Sequence, residues 1–224
     1  MSSFVLIPGA GGVAWYFSRL VPLLEQAGHR AIAVDLPGAD ETAGLPEYAD
    51  LVEQAAGVAD DVVLVAQSLG GFTAAVVAAR RPVRGIVFVN AMIPNPGETP
   101  GQWGDAVDSG TARIEAAEQF GYSTDFDIET YFLHDVDPAV AAEGEPYQRP
   151  EADIVFESAC NFDRWPDVPI RALAGAEDRL FPAEFQRRVT RERLGIDADV
   201  LPGGHLMALS NAPAVADYLV ATGF

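Results

Sequence analysis

The sequence predicts an α/β fold: a mostly parallel, doubly wound sheet of about six strands, with a small helical cap inserted after the fourth strand. Three observations carry this prediction. Short, nearly continuous apolar runs alternate with longer segments of helix-compatible spacing. The runs lack the in-and-out pattern of a half-exposed sheet, as expected of strands buried on both faces. The alternation stops after Asn90 and resumes only near Ile170.

In chain order, residues 4–7 read as the first strand and 16–27 as the helix that follows. Strand 31–34, helix 49–56, strand 62–66, helix 69–80 and strand 85–89 repeat the pattern. After the break, strand 170–174, helix 185–194, strand 198–201 and helix 213–221 complete it. The sequence thus divides into a core made of residues 1–92 and 164–224, and an insertion of residues 93–163. The insertion is far longer than an ordinary connection and holds helix-like pieces at 106–120, 128–134 and 138–143. A solvated tail is poor in aromatics; this stretch carries Trp103, Phe120, Tyr122, Phe126, Tyr131, Phe132 and Tyr147. Such residues have a surface to cover, hence the reading as a cap.

The charge balance is 14 basic to 33 acidic residues, a formal net charge of −19, and every basic residue is arginine. A field of that sign repels phosphate backbones and anionic lipid, which argues against nucleic-acid and membrane partners and leaves a small molecule. Cys160 is the only cysteine, so an intrachain disulfide and a four-cysteine zinc site are both excluded. The opening "MSSFVLIPGAGG" has no basic n-region, and its apolar run ends at Pro8-Gly9. With no segment long and apolar enough to span a bilayer, a cytoplasmic location is expected.

The loop after the first strand supports two readings. Gly9-Ala10-Gly11-Gly12-Val13-Ala14 fits the dinucleotide fingerprint with alanine in its third slot, and Asp35 stands at the end of the second strand, where a ribose-binding acid would sit. That reading makes the chain a nicotinamide-binding oxidoreductase. The same glycines also let a backbone N–H turn toward a neighbouring reacting centre, as an oxyanion donor must. Against the first reading, the bulky Trp15-Tyr16-Phe17 crowds the helix start, and it leaves the remaining chemistry of the sequence without a role.

That chemistry centres on "VAQSLGG", residues 65–71. A serine on a tight strand-to-helix turn projects its hydroxyl above the sheet, and the turn needs small residues two positions to either side. Gly70 supplies one and Ala66 the other, the latter a methyl larger than the usual glycine. A serine heading a helix also serves simply as an N-cap, so Ser68 needs a base to be a nucleophile. Of the three histidines, His29 precedes the second strand at the far end of the sheet, His134 lies in the insertion, and His205 follows the sixth strand in "GGHLMAL". His205 is the base candidate at the same sheet edge as Ser68. Its orienting carboxylate is Asp178 in "GAEDRLFP", after the fifth strand; neighbouring Glu177 competes, but the shorter side chain suits a fixed turn.

With these residues in hand, the chain resembles the α/β-hydrolase family, from "FVLIPGAGG" through "DLPG", "VAQSLGG" and "GAEDRLFP" to "GGHLMAL". It is similar in particular to the small capped branch that contains plant methyl-ester esterases and hydroxynitrile lyases. The resemblance implies a Ser68–His205–Asp178 triad, with Ala10 and Leu69 as backbone oxyanion donors and no cofactor. Two positions depart from the family pattern: Pro8 stands in place of histidine, and Ala66 in place of glycine. The lyases of the branch carry a lysine after the catalytic histidine; here that place is Leu206, and the chain has no lysine. Hydrolysis of a small, largely apolar ester is therefore expected, with Met92, Ile93, Met207 and His134 as candidate pocket residues. A non-catalytic ligand-binding protein on the same fold is the alternative, motivated by Pro8.

Overall fold

The computed structural model describes residues 2–224. Its six strands are β1 (Ser3–Ile7), β2 (Arg30–Ala33), β3 (Val62–Gln67), β4 (Gly85–Val89), β5 (Ile170–Gly175) and β6 (Asp199–Leu201). They form one sheet in the order β2-β1-β3-β4-β5-β6, and every pairing is parallel. Each expected strand is present within a residue or so of its expected limits; β1, β3 and β4 are buried throughout, as a run between two helical layers must be, whereas β2 and β6 form the partly exposed edges.

The helices are α1 (Val21–Gln26), α2 (Leu45–Ala56), α3 (Gly70–Arg80), α4 (Pro100–Ala106), α5 (Ser109–Phe120), α6 (Pro138–Gly144), α7 (Asp153–Glu157), α8 (Ala183–Leu194), α9 (Met207–Ser210) and α10 (Ala212–Ala221). One expected helix is broken in two and another starts late. The segment expected at 16–27 is a 3-10 turn at Ala14–Phe17 and then α1, which begins with a proline in its first turn. The segment expected at 106–120 is α5, which starts only at Ser109 because Asp108, in the left-handed region at φ 55°, separates it from α4. The piece expected at 128–134 is a π-helical turn, Glu129–Leu133.

Alternation along each strand splits the core into two layers, since successive side chains point to opposite faces. Val5, Ile7, Leu64, Ile86 and Phe88 pack with Tyr48 of α2, Phe72 of α3 and Phe185 of α8. Phe4, Leu6, Val63, Val65 and Val87 pack with Leu24 of α1 and Leu219 of α10. The sheet is thus covered on both faces, as the sequence predicts. Because β1 lies between β2 and β3, the chain turns opposite ways from neighbouring strands at the carboxyl ends of β1 and β3, which opens a crevice there.

Candidate active site

Ser68 sits directly after β3 with φ 52°, a left-handed conformation that a non-glycine residue rarely adopts. Its carbonyl accepts from the Gly71 and Met92 amides, at 3.1 and 2.9 Å, which holds the turn. The flanks are as tight as the motif requires. A Cβ on Gly70 would lie 2.6 Å from the Pro8 carbonyl oxygen and 2.7 Å from that of Ile7. Ala66 is fully buried on the far side of the turn, its methyl absorbed into the core.

His205 Nε2 lies 3.0 Å from Ser68 Oγ, and its Nδ1 lies 2.8 Å from Asp178 Oδ2. With Nδ1–H donating to the carboxylate, Nε2 is left to accept from the serine hydroxyl. The other Asp178 oxygen accepts the Leu180 and Phe181 amides, each at 2.9 Å. Glu177 turns away to accept from the Gly203 amide. Phe132 and Phe181 stand edge-on to the imidazole, with ring centroids 5.1 and 5.2 Å away. His29, at the opposite end of the sheet, accepts from the Ser2 amide at 3.2 Å.

The loop after β1 passes over the serine. A Cβ on Gly9 would meet Ser68 Cβ at 2.7 Å and Oγ at 3.3 Å, so only glycine fits there. The Gly9 amide donates to Gln67 Oε1 at 3.1 Å. Among the described residues, no protein acceptor takes the amides of Ala10 or Leu69, and both residues line the cavity with Ser68.

That cavity holds about 450 Å³ and is walled largely by apolar side chains, among them Trp15, Phe126, Phe132, Phe181 and Leu206. Of the expected pocket residues, Met92 lines it. Ile93 and Met207 do not line it and are packed in the two core layers, one on each face of the sheet; Met92 also belongs to the layer of Ile93. His134 lines a separate, more open cavity of about 1040 Å³ beside Arg179. Burial and the Arg179 charge push its imidazole below the usual histidine range.

Asp35 has an internal role. One carboxylate oxygen accepts the Ala14 amide at 3.0 Å, and the other pairs with Arg149 at 2.9 Å. The glycine loop leads into a single 3-10 turn, so it lacks the long helix start on which a pyrophosphate would rest. Among the described residues, no group of three or more His, Cys, Asp or Glu side chains could hold a metal ion.

Three further residues complete the surroundings. Asn90, buried at the end of β4 with φ 48°, donates to the Gly204 and His205 carbonyls at 2.8 and 3.1 Å and accepts the Gly175 amide at 2.6 Å. Gln186 donates to Asp178 Oδ2 at 3.2 Å, and Gln67 reaches the His205 carbonyl at 3.3 Å. The one signal available in the sequence was asparagine's tolerance of left-handed backbone at a strand end.

The sequence matches the family described as "Alpha/beta hydrolase family" over residues 4–218. The chain belongs to that family. It is similar to norfluorocurarine synthase 1 of a Strychnos species, at 26% identity over 94% of this chain and 90% of the relative. It is 37% identical to polyneuridine aldehyde esterase of Rauvolfia serpentina, over 42% of this chain and 40% of that protein. A crystal structure of polyneuridine aldehyde esterase superposes with a TM-score of 0.81 at 21% identity, covering 100% of both chains, a likeness of fold.

Proposed function

We propose that the chain is a serine-dependent carboxylic ester hydrolase acting on a small, largely apolar ester. One observation carries this reading: the continuous Asp178–His205–Ser68 hydrogen-bonded chain, which ends on Ser68 in the wall of an apolar cavity. In the proposed mechanism His205 takes the Ser68 proton as Ser68 Oγ attacks the ester carbonyl. The Ala10 and Leu69 amides hold the oxyanion, His205 returns the proton to the departing alcohol, and a water activated by His205 then cleaves the acyl-enzyme. The names of esterase relatives support the same reaction class.

Residues 93–163 act as the cap in this reading, and residues 1–92 with 164–224 as the catalytic core. Support comes from Phe126, Ile128 and Phe132, which belong to the insertion yet wall the Ser68 cavity. The test is turnover of a short-chain aryl ester together with fluorophosphonate labelling and mass-spectrometric assignment of the modified residue. Ser68→Ala is expected to abolish both with the fold intact. Undiminished turnover in that variant refutes the mechanism, and a wild type that neither labels nor turns over esters points to a non-catalytic binding protein.

A further inference from the structure

The oxyanion loop is a four-residue turn whose peptide groups are gripped from the insertion. The Gly12 amide donates to the Gly9 carbonyl at 3.0 Å, closing a turn over Gly9-Ala10-Gly11-Gly12. Gly11, in third place, has φ 84°, the mark of a type II turn. Glu151 Oε2 accepts the Gly11 amide at 2.6 Å, while its Oε1 accepts the Tyr48 hydroxyl at 2.5 Å. Arg149 Nε donates to the Gly11 carbonyl at 2.6 Å, and Nη2 donates to the Gly12 carbonyl at 2.8 Å.

Type I and type II turns differ in the orientation of their middle peptide, here the Ala10–Gly11 unit. Its N–H is the group held by Glu151. The preceding peptide, Gly9–Ala10, carries the Ala10 amide, which takes no protein acceptor among the described residues and whose residue lines the Ser68 cavity; φ at Ala10 is the same in both turn types, so the donor depends on how firmly the turn beside it is anchored. Gln67 holds the Gly9 amide from the other side, so the donor peptide is fixed at both ends. Resting on the hydrolase reading above, we propose that Glu151 is a positioning residue that anchors this turn through the Gly11 amide and thereby holds the Ala10 amide in place for the developing oxyanion. Burial pushes the Glu151 carboxyl above its usual range, with the Tyr48 and Gly11 hydrogen bonds and the Arg149 charge drawing it back. Tyr48, itself pushed upward by burial and by Glu151, stays protonated as the donor of that pair.

The test compares Ser68→Ala, Glu151→Ala and Glu151→Gln in the full chain, using steady-state hydrolysis of a short-chain aryl ester and inhibition by an arylboronic acid as a mimic of the tetrahedral adduct. Glu151→Ala is expected to lower kcat by about 10- to 100-fold, with boronate affinity falling in parallel and KM changing much less. Glu151→Gln is expected to recover most of the loss, since its carbonyl can accept the Gly11 amide while its NH2 donates to the Tyr48 oxygen. If Glu151→Ala does not fold, Glu151→Met, of similar length and without a strong acceptor, takes its place. Unchanged kcat without the carboxylate, or a loss that Glu151→Gln does not recover, overturns the proposal while Ser68→Ala remains inactive. Activity surviving in Ser68→Ala overturns the hydrolase reading instead.

Discussion

The side chain of Asn90 holds the main chain of His205: its Nδ2 lies 3.1 Å from the His205 carbonyl oxygen and 2.8 Å from that of Gly204. Its Oδ1 accepts the Gly175 amide at the end of β5, so one buried amide ties the histidine loop to two adjacent strands. Both His205 and Asn90 are fully shielded from solvent, and neither could find water in place of a lost partner.

Asn90→Ala strands several of these groups at once and puts alanine into a left-handed conformation. With each orphaned buried group costing about 1–3 kcal/mol, a loss of roughly 3 kcal/mol or more is expected in urea denaturation. Hydrolysis should fall chiefly in kcat, because the histidine loop loses its anchor. Wild-type stability and kcat in the variant would show that the anchor is dispensable.

Asp178→Asn tests the tautomer. The Leu180 and Phe181 amides grip one oxygen of Asp178, so an asparagine keeps its carbonyl toward them and turns its NH2 toward His205 Nδ1. Donor then faces donor, and the imidazole must adopt the tautomer that cannot accept from Ser68. A fall in kcat of about ten-thousandfold is expected, with a melting temperature close to wild type. A fall of only a few-fold would remove Asp178 from the proposed role.

Gly70→Ala and Ala66→Gly separate the two flanks of the serine turn. A Cβ on Gly70 runs into the Ile7 and Pro8 carbonyls, which are main chain and have no room to give. That variant is expected to be insoluble or inactive. Ala66→Gly removes only a buried methyl and should cost about 1 kcal/mol while leaving activity within a few-fold. A well-folded, active Gly70→Ala protein contradicts the close approach.

Cys160 is buried, and burial first and the Glu98 charge second push its thiol up to about 12. At mildly alkaline pH it therefore stays protonated, and native protein should resist iodoacetamide. Labelling should become complete in concentrated urea. Fast labelling of the native state would contradict this burial.

Much of the architecture was legible locally. The central strands β1, β3 and β4 are largely apolar runs buried throughout, and such a run has one stable partner, a central parallel sheet. Ser68, Asp178 and His205 could be found because each follows a strand expected from the sequence and so arrives at the same edge. Helix limits were less legible where a single residue breaks the pattern, as Asp108 does between α4 and α5. Pairs distant in sequence were not legible at all. Local spacing carries no signal that Glu151 meets Gly11, that Asn90 meets His205, or that Met92 reaches the cavity while Ile93 and Met207 do not. The sequence by itself determined the sheet, its edge and the three residues aligned there. Only the tertiary structure decided which buried amides and carboxylates hold the loops that carry them, because hydrogen-bond partners are chosen by position in space after the layers have packed.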